Sequence, residues 1–243
     1  MAMEKKEKKQ KQNLVVLTGA GMSVESGLST FRDAGGLWDK YPVEQVATPE
    51  GYMRDPDLVT HFYNVRRKEL LTIEPNDGHR GLADLEKDFN VTIVTQNVDN
   101  LHERAGSSHI IHLHGELTKV CSSRDPNNPY YVRELKPEEY EVDPNAKAGD
   151  GSRLRPFIVW FGEAVPEIET AVRYTQKADI FVIIGTSLNV YPAAGLLYYV
   201  PREAKVYLID PKPVDAHSSR KIHVIQKGAS AGVAELTALL RGE

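Results

Sequence analysis

Leu14-Val15-Val16-Leu17-Thr18-Gly19-Ala20-Gly21-Met22-Ser23 reads as a buried strand running into a glycine turn, with a helix expected from Ser23 onward. A short continuous apolar run that ends at glycine suits a strand covered on both faces. The glycines lack side chains, so backbone N–H groups in the turn can approach a phosphate closely. The turn alone decides little, because a glycine pair serves an ordinary tight turn equally well. It also departs from G-x-G-x-x-G, since Val24 stands at the third glycine's place. No second strand with an acidic end follows within about 30 residues, as a hydride-transfer unit would require. That argues against an ordinary dehydrogenase.

The next apolar run, Val91-Thr92-Ile93-Val94, enters the most informative polar stretch, Thr95-Gln96-Asn97-Val98-Asp99-Asn100-Leu101-His102, followed by His112-Leu113-His114-Gly115. Amides and an acid at a strand's carboxyl end can grip a polar ligand, and an imidazole can take a proton. His112 and His114 also fit a metal pair, but no acid or cysteine set accompanies them at ligand spacing, so no metal is expected. Further along, strand character is read over residues 109–112, 156–160, 179–184, 205–209 and 223–225. Helices are read over 57–71, 79–87 (Leu82 and Leu85 inward), 167–177, 193–200 and 231–240. Residues 31–74 carry helical pieces and turns without a strand. Residues 121–153, rich in Pro, Asn, Asp, Glu and Gly, read as an irregular excursion or small lobe. Strands separated by helices imply an α/β fold with a parallel sheet covered on both faces.

The chain has 243 residues, 26% of them charged, and a formal net charge of −4. Nothing in that balance favours a nucleic-acid surface. No apolar run reaches the roughly 18 residues a membrane helix needs, and the start lacks the apolar core of a signal peptide, so the expected location is cytoplasmic. Residues 1–12 form a Lys-rich tail expected to be disordered. Cys121 is the only cysteine, which excludes a disulfide within the chain and a multi-cysteine metal site.

Taken together, Gly19-Ala20-Gly21-Met22-Ser23, Gly27-Leu28-Ser29-Thr30-Phe31-Arg32, Gln96-Asn97-Val98-Asp99, His112-Leu113-His114-Gly115, Phe161-Gly162-Glu163 and Gly185-Thr186-Ser187 resemble, in order, the motifs of the sirtuin NAD-dependent protein lysine deacylases. The resemblance runs over most of the chain. It implies a Rossmann-type NAD-binding domain (13–32, 76–118 and 156–243) and a small lobe built from two insertions (33–75 and 119–155). It implies that Gly19, Ala20, Gly21, Ser23, Gly185, Thr186 and Ser187 face the NAD phosphates, and that Phe31 and Arg32 lie on a loop over the nicotinamide ribose. Gln96 would touch that ribose, Asn97 and Asp99 would hold the carboxamide, and His114 would be the general base. Val159, Trp160, Phe161 and Gly162 would border the acyl-lysine tunnel. Asp210, after the strand at 205–209, would accept from a ribose hydroxyl.

Two departures from the family pattern stand out. Most sirtuins bind a structural zinc through two cysteine pairs, whereas Cys121 stands alone, so structural zinc is expected to be absent and the lobe to be held by packing around Tyr130, Tyr131, Leu135 and Tyr140. Thr30 replaces an acid that many relatives carry. Within residues 62–67, Tyr63 and Arg66 lie at i, i+3 on one helical face and resemble the Tyr-x-x-Arg of sirtuins that remove succinyl and malonyl groups. The expected function is therefore NAD-dependent removal of acyl groups, acidic ones and also acetyl, from protein lysines, giving nicotinamide and O-acyl-ADP-ribose. The alternatives are a plain deacetylase, a protein ADP-ribosyltransferase or a non-catalytic NAD sensor; the sequence leaves the oligomeric state open.

Overall fold

The computed structural model describes residues 10–28, 41–216 and 218–242. Its strands in chain order are β1 (Asn13–Thr18), β2 (Asn90–Thr95), β3 (Ile110–His112), β4 (Gly115–Ser122), β5 (Arg133–Glu134), β6 (Leu154–Ile158), β7 (Ile180–Ile184), β8 (Lys205–Ile209) and β9 (Ile222–Ile225). Its α-helices are α1 (Val43–Val46), α2 (Pro49–Arg54), α3 (Pro56–Leu70), α4 (Asp77–Leu85), α5 (Leu101–Ala105), α6 (Ile168–Thr175) and α7 (Ala229–Arg241).

Six strands form one sheet in the order β3-β2-β1-β7-β8-β9, and every neighbouring pair is parallel. Chain order runs outward in one direction from β1 and in the other from β7, so the order reverses between those two strands. Open parallel sheets bind ligands at such a reversal, outside the carboxyl ends of the strands. The strand period explains the layers. Leu14, Val16, Ile93 and Val182 point to one face, where Leu82 and Leu85 of α4 and Val233 and Leu236 of α7 cover them. Val15, Leu17, Val94, Phe181 and Ile183 point to the other, under Ala171 of α6 and Leu196 and Leu197. Burial on both faces is why these strands read as unbroken apolar runs.

The remaining strands form a second sheet, β5-β4-β6, which is antiparallel. The strand expected at 156–160 is present as β6 but pairs here rather than in the parallel sheet. β4 was not expected. Its register shifts between Gly115 and Val120, which interrupts the alternation that would have marked it. A separate apolar cluster joins α1, α2 and α3 to this sheet through Val46, Tyr52, Phe62, Leu117, Ile158 and Trp160. The far end has a much smaller core of Val120, Leu135, Val142 and Leu154.

Local chemistry sets the helix starts. Asp55 caps α3 by accepting from Leu58 N at 2.9 Å, with Pro56 in the first turn. Asn76 caps α4 by accepting from His79 N, while the His79 ring accepts from Asn76 N in return. Two expected helices are corrected in type. The segment after Gly21 is not an α-helix but two single 3-10 turns, Ala20–Met22 and Val24–Ser26, ended by Gly27 at φ +104°. Ala193–Tyr199, expected as an α-helix over 193–200, also winds as 3-10. Among the described residues, no helix is long and apolar enough to cross a membrane.

Candidate active site

At the sheet's reversal, the loops after β1 and β7 touch through bare backbone. Gly19 N donates to Ile184 O and Gly21 N to Gly185 O at 2.8 Å. A Cβ on Gly21 would lie 2.6 Å from Gly185 Cα, and one on Gly185 would lie 2.4 Å from Met22 N. Gly185 also sits at φ +61°, a left-handed conformation that costs other residues strain. The glycines are therefore required first by the approach of one loop to the other. That approach leaves Ala20, Thr186 and Ser187 on the wall of a cavity of about 630 Å³.

The cavity runs from this crossing to the small sheet. Gln96, Asn97 and His114 line its middle, and Asp210 with Gly228 lines the end beyond β8. Tyr63 and Arg66 of α3 line it too, together with Val159, Trp160, Phe161 and Gly162. Ser23 and Asp99 stand one layer behind. Asn97 Nδ2 donates to Gly19 O at 3.0 Å and to Ser23 Oγ at 3.2 Å, and Ser23 Oγ donates to Asp99 Oδ2 at 3.0 Å. Asp99 Oδ1 accepts from Leu101 N. Burial raises the Asp99 carboxyl above its usual range, against the lowering hydrogen bonds from Leu101 and Ser23. Asp99 thus braces Asn97 through Ser23, and the side-chain oxygen of Asn97 is left as an acceptor. Phe31 and Arg32 lie outside the described residues.

His114 has the geometry of a base. Its Nδ1 meets Gln96 O at 3.0 Å, and a carbonyl only accepts, so Nδ1 carries the proton and Nε2 keeps its lone pair. Burial lowers its pKa, opposed by that hydrogen bond, so the ring is neutral near pH 7. Gln96 is itself oriented by donating to Thr186 Oγ1 at 3.0 Å. Asp210 follows β8 directly, with Oδ1 accepting from Lys212 N.

At the lobe end, Tyr63 Oη accepts from Trp160 Nε1 at 3.0 Å, and burial pushes its phenol up to about 12. Trp160 is held by Arg155, whose guanidinium lies 3.4 Å from the indole centroid and pairs with Glu163, which also accepts from Trp160 N. Arg66 is 8% exposed and lies 3.2 Å from Glu69; burial lowers its pKa, opposed by that carboxylate. Arg67, its neighbour, is structural: it donates to Leu117 O and Asn64 Oδ1.

Several walls of the cavity carry no motif in the sequence. Val190, Tyr191 and Pro192 also line the cavity, as do Val98, Glu25 and Lys212. Glu103, which holds His112, carried no signal because its partner lies nine positions on in an unrelated element.

A four-thiolate zinc site does not fit these residues. Cys121 is buried, faces Pro156 O at 3.8 Å, and its thiol is pushed up to about 12 by burial. Among the described residues, no group of three or more His, Cys, Asp or Glu side chains is placed to hold a metal. Next to Cys121 in the chain lies a polar knot: Ser122 Oγ and Ser152 Oγ both donate to Asp150, at 2.6 and 2.7 Å, and Ser152 N adds a third bond.

The Sir2 family model matches residues 19–192. An NAD-dependent protein deacylase of Bacteroides thetaiotaomicron is 81% identical over 94% of this chain and 98% of its own length. One from Helicobacter pylori is 48% identical over 93% of this chain and 96% of its own. Among solved structures, a Sir2 homologue in complex with NAD superposes with a TM-score of 0.83 at 35% identity, covering 96% of this chain and 91% of that one.

Proposed function

The chain belongs to the Sir2 family and is an NAD-dependent protein deacylase, and from that premise we propose that its preferred substrates are lysines carrying short acidic acyl groups such as succinyl and malonyl. The observation that supports this preference is the pair Tyr63 and Arg66, one helical turn apart on α3 and both on the cavity wall. A guanidinium pairs bidentately with a carboxylate, and a phenol adds one hydrogen bond. An acetyl group offers Arg66 no such partner. Removing a cation from water is costly unless a counter-charge completes the site, and an acidic acyl group supplies one alongside Glu69.

The residues divide the work. NAD, when bound, would supply a ribose carbon at which the amide oxygen of the acyl-lysine bonds as the bond to nicotinamide breaks and nicotinamide leaves. Asn97, fixed by Gly19 and Ser23, presents its acceptor oxygen to a carboxamide donor. His114 Nε2 takes a hydroxyl proton, which its low pKa permits at neutral pH. Ile158, Leu117 and Val159 wall the tunnel and exclude water. Gly162 at φ +93° turns the chain at the rim, where the residues just after β6 can pair with a peptide backbone. Asp210 is assigned to a ribose hydroxyl, and Phe31 and Arg32 to the ribose-covering loop.

The test compares turnover of NAD with succinyl-, malonyl- and acetyl-lysine peptides by wild type and Arg66→Met. Loss of a hydrogen-bonded charge pair predicts a fall of about 10- to 100-fold in kcat/KM for the acidic substrates. The acetyl substrate should change by less than about threefold. Equal losses on all three would sink the assignment.

A further inference from the structure

β3 and the residues just after it bring two imidazoles to two consecutive carbonyls of one loop. His114 Nδ1 meets Gln96 O at 3.0 Å; His112 Nδ1 meets Asn97 O at 3.2 Å. The other nitrogen of His112 has a second partner, Glu103 Oε1 of α5, at 2.7 Å. A carbonyl and a carboxylate both accept and neither donates. Satisfying both requires a hydrogen on each ring nitrogen, so His112 is an imidazolium while His114 stays neutral. The His112 side chain is 10% exposed, so water cannot readily replace either partner.

The peptide that His112 grips is the one that carries the carboxamide-binding side chain. Asn97 is tied at its nitrogen to Thr95 Oγ1, at its side chain to Gly19 and Ser23, and at its carbonyl to His112. We propose that Glu103 and His112 form a positioning pair that fixes Asn97, and with it the edge of the NAD pocket, through a charged imidazolium. The inference rests on the assignment of Asn97 to the cofactor and is independent of the acyl preference.

The groups facing His112 agree with this. Burial lowers its pKa, but the hydrogen bond and charge of Glu103, then Glu116 on β4 and the Asn97 carbonyl, outweigh burial and raise it. Asp99 and His102 also face it, and burial holds His102 neutral. When His112 loses its proton as pH rises, the remaining hydrogen stays with the stronger acceptor, the Glu103 carboxylate. A lone pair then faces the Asn97 carbonyl and the tie is broken.

The experiment measures NAD affinity by calorimetry from mildly acidic to alkaline pH in wild type and Glu103→Gln. Wild type should lose about three- to tenfold in affinity across the titration of His112. A glutamine amide can donate to the ring, so neutral His112 keeps its hydrogen on Asn97 and the alkaline loss should flatten in Glu103→Gln. Glu103 is partly exposed, so this variant should fold. A second variant, His112→Phe, should raise KM for NAD at every pH by roughly tenfold while KM for acyl peptide moves less than about twofold. The proposal is overturned by an alkaline loss that persists unchanged in Glu103→Gln, by pH-independent NAD affinity in wild type, or by equal effects of His112→Phe on both substrates. Failure of the Asn97 assignment would look different, because Asn97→Ala would then leave NAD affinity intact.

Discussion

The parallel sheet and the small antiparallel sheet solve the same problem, holding a cavity wall in place, with different materials. The parallel sheet does it with backbone and aliphatic burial: Leu14, Val16, Leu17, Phe181 and Val182 are fully buried, and its two loops meet at glycines. The small sheet has four residues in its outer core and relies on polar ties, among them Asn64 to Val142, Arg67 to Leu117 and the Asp150 knot. The consequence is a division of tolerance. The side of the two glycine loops is expected to fail when a methyl group is added, and the small-sheet side to tolerate change one side chain at a time.

The sharpest way to break that contrast is Gly185→Ala. Its Cβ would meet backbone atoms of Gly21 and Met22 in a left-handed conformation, so a loss of about 3 kcal/mol or more is expected, read as a drop in Tm with loss of NAD binding. A variant as stable as wild type would show that the loops are not held by mutual backbone contact. A second test uses pH. Because burial lowers the His114 pKa, the base stays deprotonated below the usual histidine range, and activity should fall only as pH drops through a value below 6.5. The acid limb of kcat/KM measures it; a limb above 6.5 would contradict the buried, neutral ring.

The smallest effect is expected in the lobe. Asp150 is held at about 2 by hydrogen bonds from Ser122 and Ser152, so its contribution is present above its unfolded value near 3.8 and is lost as pH falls through 2. Asp150→Asn should lower Tm slightly at neutral pH and leave KM for NAD unchanged. Elemental analysis of the purified protein should find no stoichiometric zinc.

The legibility of the sequence follows the same division. β1, β2, β7 and β8 could be read because strands buried on both faces leave uninterrupted aliphatic runs, and the reversal point follows from their order. β4 could not, since its bulge breaks the alternation and Glu116 and Lys119 look like surface. The residues lining the cavity were recognisable mainly by resemblance in ordered motifs. What could not be read was how residues act through others: Ser23 and Asp99, both legible in the motifs, brace Asn97 from behind, Glu163 accepts from Trp160 N, and Glu103 holds His112. The Ser23 ties to Asn97 and Asp99 span more than seventy positions, and the shorter ones depend on how loops fold back, so no local period marks them.

One neutral imidazole, His114, is proposed to carry the proton transfer in a cavity whose cofactor grip is built elsewhere. The direct measurement is His114→Ala, assayed for O-acyl-ADP-ribose formation alongside calorimetric binding of NAD. Product formation should fall by roughly two to four orders of magnitude while NAD affinity stays within about threefold. Wild-type turnover in that variant would contradict the account.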